Sequence, residues 1–536
     1  FRDVPVIEVT LMPRQGEAPL GAGESSSVPG TAAIANAIFD ATGVRFRQPP
    51  FTPEVIRAAL NPLPHAAGAG AGSAGAEAYG PQAAKAIALN RPPVKDAVWP
   101  RGKRWWASAG ALAAGVVGLG AALLGAKSSI APIGRPDVSL FTTAAIERGR
   151  QVAALGNCIT CHTAADGQPN AGGRAMDTPF GRIYSTNLTP DVATGIGGWS
   201  FSAFQRAMRE GLSRDGQHLY PAFPYTAFTK TSDDDLMALY AFLMSQPAVA
   251  SQVPKTELKF PFGYRPFLGL WNALYLTPGA VEVTDASRST QWNRGAYLVN
   301  GMGHCGACHT ERNALGAERN GLQFLGGTMI KGWEAPSLTA ASQSPVPWTE
   351  QSFYQYLRNG QSQHHGTASG AMAPVVQQLQ EVADEDIQAM AHYLASFQPK
   401  TSEQQATELA EAAIARSQTA ARTLVGSRAQ RMFDQACSAC HNDGDGPKLW
   451  GANVPLALNS NLHSEQPDNL VRTILEGAQE PALAANGFMP AFGDALNDQQ
   501  VAELAGYMRQ RFAPDRAAWS NLQETVARVR ATPSAP

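Results

Sequence analysis

One pentapeptide, written three times, constrains this chain more than any other feature. The copies are Cys158-Ile159-Thr160-Cys161-His162, Cys305-Gly306-Ala307-Cys308-His309 and Cys437-Ser438-Ala439-Cys440-His441. Cys-x-x-Cys-His is the attachment pattern of c-type haem: two thiols add to the porphyrin vinyl groups, and the adjoining imidazole is held close enough to bind the iron. A zinc ribbon needs two cysteine pairs roughly 15–20 residues apart, whereas these pairs are well over a hundred apart. A dithiol redox pair has no use for the following His, and only ten of the 536 residues are His. The three motifs consume all six cysteines. None is left for a disulfide or an iron–sulfur cluster, so any such cluster must sit on another subunit.

From residue 137 onward the sequence repeats around these motifs. Each unit opens with a helix, gives Cys-x-x-Cys-His, and later carries a short helix ending in Gly: Phe204 to Gly211, Phe353 to Gly360 and Leu470 to Gly477. A final helix follows, over Asp234 to Leu243, Asp386 to Leu394 and Gln499 to Met508, with acidic residues at or just before its start. The expectation is a mainly α fold with three tandem haem domains at 137–250, 285–399 and 400–515. An aromatic connector at 251–284 and a tail at 516–536 complete it.

The repeat also addresses the iron's second face. Twelve residues after Gly360 stands Met372, and twelve after Gly477 stands Met489, each beside a Pro. Met/His ligation raises a haem's potential and suits electron transfer. The same count from Gly211 reaches Phe223, which cannot bind iron. His218, in the same loop, is the expected substitute, and Met208 is expected to be core. His304, His364, His365 and His392 are read as loop or surface histidines without metal.

Ahead of the repeats the character is different. Val4 to Met12 alternates like a strand, and Ala32 to Ala41 reads as a helix closed by Thr42-Gly43. This α+β piece, 1–62, is too small to bury a core of its own and is expected to belong to something longer, upstream of Phe1. Residues 63–104 are mostly Ala, Gly and Pro and read as a flexible linker. Arg101-Gly102-Lys103-Arg104 then precedes an uncharged run, 105–126, of a length that crosses a bilayer, with its start on the cytoplasmic side. Such a single-pass chain would sit in the bacterial inner membrane with its haem domains in the periplasm. Net charge is −2, which provides no basic footprint for nucleic acid.

The stretch from Gly23-Glu24-Ser25 through Ala33–Phe39 resembles the C-terminal end of molybdenum hydroxylase large subunits. That resemblance implies that Glu24 is a catalytic base beside a molybdopterin cofactor, most of whose domain lies upstream. The triple repeat, with Tyr184-Ser185-Thr186-Asn187-Leu188-Thr189-Pro190-Asp191 after the first motif, resembles the three-haem cytochrome subunits of membrane-bound alcohol and aldehyde dehydrogenases. Together the parts look most like the cytochrome-bearing large subunits of nicotinate dehydrogenases. This implies a partner subunit with two [2Fe–2S] clusters, hydroxylation of an N-heteroaromatic or oxidation of an aldehyde with water as oxygen source, and a quinone or terminal oxidase as acceptor. Two other readings compete: a cytochrome subunit for a quinoprotein or flavoprotein dehydrogenase, and a haem enzyme or gas-binding protein using an open first iron.

Overall fold

The chain divides into two units, residues 1–100 and 101–536. In this computed structural model the described residues are 39 in the first unit and 127–134, 136, 138–278, 284–330, 332–441, 455–478, 482–483 and 486–532 in the second. The expected N-terminal strand, Glu24, the linker 63–104 and the expected membrane span 105–126 lie outside them, as does the expected N-terminal helix except for residue 39. Among the described residues no helix is long and apolar enough to cross a membrane.

The second unit is mainly helical, and its repeats are visible as helix pairs. In the first, α1 (Thr143–Leu155), α2 (Phe201–Glu210) and α3 (Asp233–Met244) surround the first motif. A connecting helix, α4 (Phe267–Tyr275), leads to α5 (Thr290–Asn300), α6 (Glu350–Asn359) and α7 (Asp384–Ala395) of the second. The third carries α8 (Glu403–Thr423), α9 (Arg428–Ala436), α10 (Asp468–Glu476), α11 (Asp498–Phe512) and α12 (Leu522–Ala531). The three short helices end, as expected, on Gly211, Gly360 and Gly477 at φ of 63°, 68° and 76°. A closing residue at positive φ is cheap only without a Cβ.

Three small sheets decorate the helices, all antiparallel. β1 (Ala175–Thr178) pairs with β2 (Gly181–Tyr184), which also takes β3 (Glu257–Leu258). β4 (Thr328–Ile330) pairs with β5 (Trp333–Ala335), and β6 (Gln361–Ser362) with β7 (Gly366–Thr367).

The first two repeats share one hydrophobic core, which runs from Val152 and Leu155 through Leu236 and Leu239 to Leu298, Val299, Ile387 and Met390. Within each repeat the opening and closing helices cross at a glycine. A methyl group on Gly149 would overlap the Ala238 carbonyl, and one on Gly295 would overlap that of Ala389. The residue before each glycine is an Arg that forks onto a buried Asp of the closing helix. Arg148 binds Asp235 at 2.7 and 3.0 Å, and Arg294 binds Asp386 at 2.7 and 2.8 Å. Tyr297 donates across to Asp235 at 2.8 Å and Arg148 reaches Asp386 at 3.4 Å, so the two pairs form one cluster between the repeats.

The third repeat has its own core around Phe433, Val471, Leu504 and Phe512. It is joined to the second through the β4–β5 hairpin. Asn469 accepts from the Glu334 amide and donates to its carbonyl, each at 2.8 Å, while Arg472, 1% exposed, lies 5.5 Å from the Trp333 ring and donates to the Gly332 and Thr532 carbonyls. The expected tail is in part α12, whose Val526 and Val529 are fully buried in this core. Helix α8 was not anticipated: Ala406, Ala410 and Ala413 wedge it against Val346 and Leu458.

Two outcomes follow from this packing. Gly295→Ala pushes α5 and α7 apart and lowers stability by about 1–3 kcal/mol, read as a drop in melting temperature. Burial pushes the Asp235 carboxyl up, but its Arg148 fork and the Tyr297 bond outweigh this and hold it below its ordinary value. A depressed folded-state value contributes stability above the unfolded carboxylate range and loses it as pH falls. The stability gap between the wild type and Asp235→Asn is therefore full near neutral pH and shrinks below about pH 4, as measured by denaturation at stepped pH.

Candidate haem-binding sites

Each Cys-x-x-Cys-His forms a single turn of helix. The amide of the His donates to the carbonyl of the first Cys in all three: His162 to Cys158 at 2.9 Å, His309 to Cys305 at 3.0 Å and His441 to Cys437 at 2.8 Å. Residues i, i+3 and i+4 of such a turn share one face, so two sulfurs and an imidazole are presented together. In the first two motifs the turn is entered from the left-handed region, at Asn157 (φ 47°) and His304 (φ 37°).

The imidazoles of the first two motifs are oriented from behind. His162 Nδ1 lies 2.6 Å from the Thr186 carbonyl and His309 Nδ1 lies 2.8 Å from that of Pro336. A carbonyl only accepts, so each Nδ1 carries the proton and Nε2 keeps its lone pair. Burial lowers both pKa values, and that of His441, favouring the neutral ring. A neutral, back-bonded imidazole is what iron ligation requires. The loop that follows His441, 442–454, lies outside the described residues.

The thiols are not activated. All six are free of disulfides. Burial, with a smaller contribution from the second Cys of each pair, raises Cys158 and Cys305 to about 12 and Cys437 to about 11. A redox dithiol needs a lowered thiol pKa. Among the described residues no group of three or more His, Cys, Asp or Glu side chains is placed to hold a metal ion. The donor set therefore fits covalent porphyrin attachment and neither rival.

On the opposite side the expected positions separate. The backbone treats Phe223 and Met372 alike: Phe223 N donates to Tyr220 O, and Met372 N to Ser369 O, while Leu219 N and Ala368 N each reach back to the helix-ending glycine at 2.7 Å. Phe223 thus holds in the first repeat the place of Met372, which is half-buried against the shared core. Met489 arrives by another route. It pairs directly with Ala478, donating and accepting, so its equal count from Gly477 conceals a different loop.

His218 is buried, in a bridge with Leu212. Asn272, on α4, donates to the Glu210 carbonyl at 3.1 Å, which fixes which end of its amide is nitrogen. The same nitrogen faces His218 Nδ1 at 3.4 Å. A neutral His218 then carries its proton on Nε2, the tautomer opposite to that of His162 and His309. Met208 is buried in the core, as expected. His364 and His365 are not surface residues. They are 6% and 5% exposed, and His365 stacks on Trp348 with ring centroids 3.8 Å apart. His392 is partly exposed and meets Glu350 at 2.8 Å.

The first and second motifs lie against each other. The position a Cβ would take at Gly156 is 2.9 Å from Met302 Sδ and 3.3 Å from Cys158 Sγ. Phe223, Phe228 and His304 form a ring series at 5.4 and 5.3 Å that ends beside Cys305. Neither Met302 nor His304 announced this contact in the sequence, because each faces a residue of the other repeat.

Residues 146–247 and 293–398 match the Cytochrome c family, and 426–508 match the family described as cytochrome C oxidase, cbb3-type, subunit III. The chain is 37% identical to the fructose dehydrogenase cytochrome subunit of Gluconobacter japonicus over 406 residues, covering 72% of this chain and 82% of that protein. This chain belongs to the cytochrome c subunits of bacterial dehydrogenases. Other members are the alcohol dehydrogenase (quinone) cytochrome c subunit of Gluconobacter oxydans, 35% identical over 71% of this chain and 82% of that protein, and a nicotinate dehydrogenase subunit of Pseudomonas putida. The last is 49% identical over 99% of this chain, which spans 42% of its length. As a member of this family, the cytochrome subunit carries covalent haem c and serves electron transfer within an oxidoreductase complex.

Because Gly156 separates two motifs, Gly156→Val displaces Met302 and Cys158 together. The oxidised protein's electron paramagnetic resonance spectrum is expected to change in the first and second haem signals and not in the third.

Proposed function

We propose that the cytochrome subunit is the electron exit of a molybdenum hydroxylase that oxidises nicotinate or a related N-heteroaromatic or aldehyde. The observation that carries this is the 49% identity to a nicotinate dehydrogenase subunit across 99% of the chain, N-terminal piece included. The fructose and alcohol dehydrogenase cytochromes cover about seven-tenths of it. Glu24 is the proposed base at a molybdopterin site completed by residues upstream. An iron–sulfur subunit delivers electrons, and quinone or a terminal oxidase receives them. The segment 105–126 is the proposed inner-membrane span, with the haem domains on the periplasmic side.

Cys158 and Cys161, Cys305 and Cys308, and Cys437 and Cys440 are the proposed thioether anchors of the three haem domains. His162, His309 and His441 supply the first axial nitrogen, with Thr186 and Pro336 fixing the first two rings. Met372 and Met489 supply the second ligand in the second and third domains. Bound there, haem c supplies reversible one-electron chemistry. The chain's own residues set its level: a thioether ligand raises the potential, and the apolar packing around Cys158 and Cys305 excludes water. In the first domain Phe223 leaves no thioether at that place. Ligation by His218 needs its Nε2 proton lost or its ring turned from Asn272. Electrons pass directly between the first and second sites through the contact at Gly156 and Met302.

Redox titration tests the ligand assignment. Met372→Leu and Met489→Leu are each expected to lower one midpoint potential of three and leave the others in place. An unchanged titration would remove that Met from the site. Loss of low-spin character from one haem in His218→Ala would establish His218 as a ligand, and an unchanged spectrum would exclude it.

A further inference from the structure

The connector between the first two repeats turns an apolar face outward. Phe260 is 95% exposed, Leu274 63% and Tyr264 54%, with Phe262, Phe267 and Leu270 also exposed. A contiguous aromatic surface of this kind marks an interaction site. The face is also firmly built. Arg265 donates to the His218 carbonyl at 2.6 Å and lies 4.9 Å from the Tyr220 ring, while Phe262 packs on Phe180 at 4.7 Å. Trp271 donates to the Leu315 carbonyl of the second repeat at 2.9 Å. Both repeats therefore hold the connector while its Phe and Leu side chains point away from them.

Its charge is one-sided. Between residues 258 and 278 the charged residues are Lys259 and Arg265, with no Asp or Glu. Rings flanked by cations suit the headgroup layer of an anionic bilayer, where aromatic side chains settle and Lys or Arg meet phosphates.

The position of the connector relative to the predicted span adds a second observation. Lys127, which closes the uncharged run 105–126, packs its carbonyl against Gly216. The next residues are tied to the same loop: Arg206 donates to Ser128 O and Ile130 N donates to Arg214 O, both at 2.8 Å. Gly216 is two residues from His218, whose carbonyl anchors Arg265. At about 3.8 Å per residue, the chain's exit from the run and the connector lie within roughly 15 Å of each other, comparable to the ~13 Å length of α4. A bilayer reached at Lys127 therefore has the connector beside it.

We infer that the exposed aromatic face of residues 260–274 seats the first repeat in the lipid headgroup layer next to the point where the chain leaves the membrane. The inference rests on the reading of 105–126 as a span, and the test separates the two. The haem-loaded full chain is placed in vesicles of phosphatidylethanolamine and phosphatidylglycerol containing a lipid with a diazirine near its headgroup. After illumination, labelled peptides are mapped by mass spectrometry. The expected result is label on 260–274 as well as on 105–126, with the 260–274 label falling at least fivefold in an F260S/F262S/L274S variant of unchanged haem spectrum. Label on 105–126 alone overturns the inference and leaves the span standing. Label on 260–274 alone upholds the inference and removes the span. Label on neither overturns both.

Discussion

Everything in the account depends on a single helical turn that offers two sulfurs and a nitrogen to one face. The constraint is geometric before it is chemical. Cys, Cys and His at i, i+3 and i+4 can converge only if the turn is closed, and in all three motifs the His amide closes it on the first Cys carbonyl. In the first two motifs a loop carbonyl, from Thr186 or Pro336, then decides which imidazole nitrogen holds the proton. The long segments between the motifs bring those loops and the surrounding helices back to that turn.

The repeats are alike in plan and unlike in detail, and the differences concentrate where function is tuned. The glycine crossings and the Arg–Asp forks are duplicated between the first and second repeats, and the cluster of Arg148, Asp235, Tyr297 and Asp386 fuses them. The third repeat has no such fusion. It meets the second through Trp333, Glu334, Asn469 and Arg472, side chains bonded largely to backbone. This architecture gives the first two sites a shared core and sets the third apart as a body with its own. A dehydrogenase cytochrome that must accept electrons at one end and release them at the other is served by such a close pair with a separate third site.

Much of this was legible in the sequence. The three motifs, the glycine-ended helices and the acidic starts of the closing helices are local signals, and the structure places the helices within a few residues of their expected bounds. The match of Phe223 to Met372 was legible too, because the loop from Gly211 and that from Gly360 have equal length. The count failed as a structural argument for Met489, which reaches twelve residues from its glycine by pairing with Ala478. Contacts between distant segments were not legible. Asn272 beside His218, Met302 beside Gly156 and the burial of His364 and His365 beneath Trp348 depend on tertiary neighbours that no short pattern encodes. Helices α8 and α12 were missed because their buried faces are mostly Ala or Val, with little to distinguish them from a solvated helix.

The most direct measurement is the intact mass of the purified chain after denaturation, with its optical spectrum. The account predicts a mass above that of the bare polypeptide by three haem groups, retained through denaturation. It further predicts loss of one group when Cys305 and Cys308 are replaced by Ser. A denatured chain with the mass of its amino acids alone, and no haem absorbance, would contradict it.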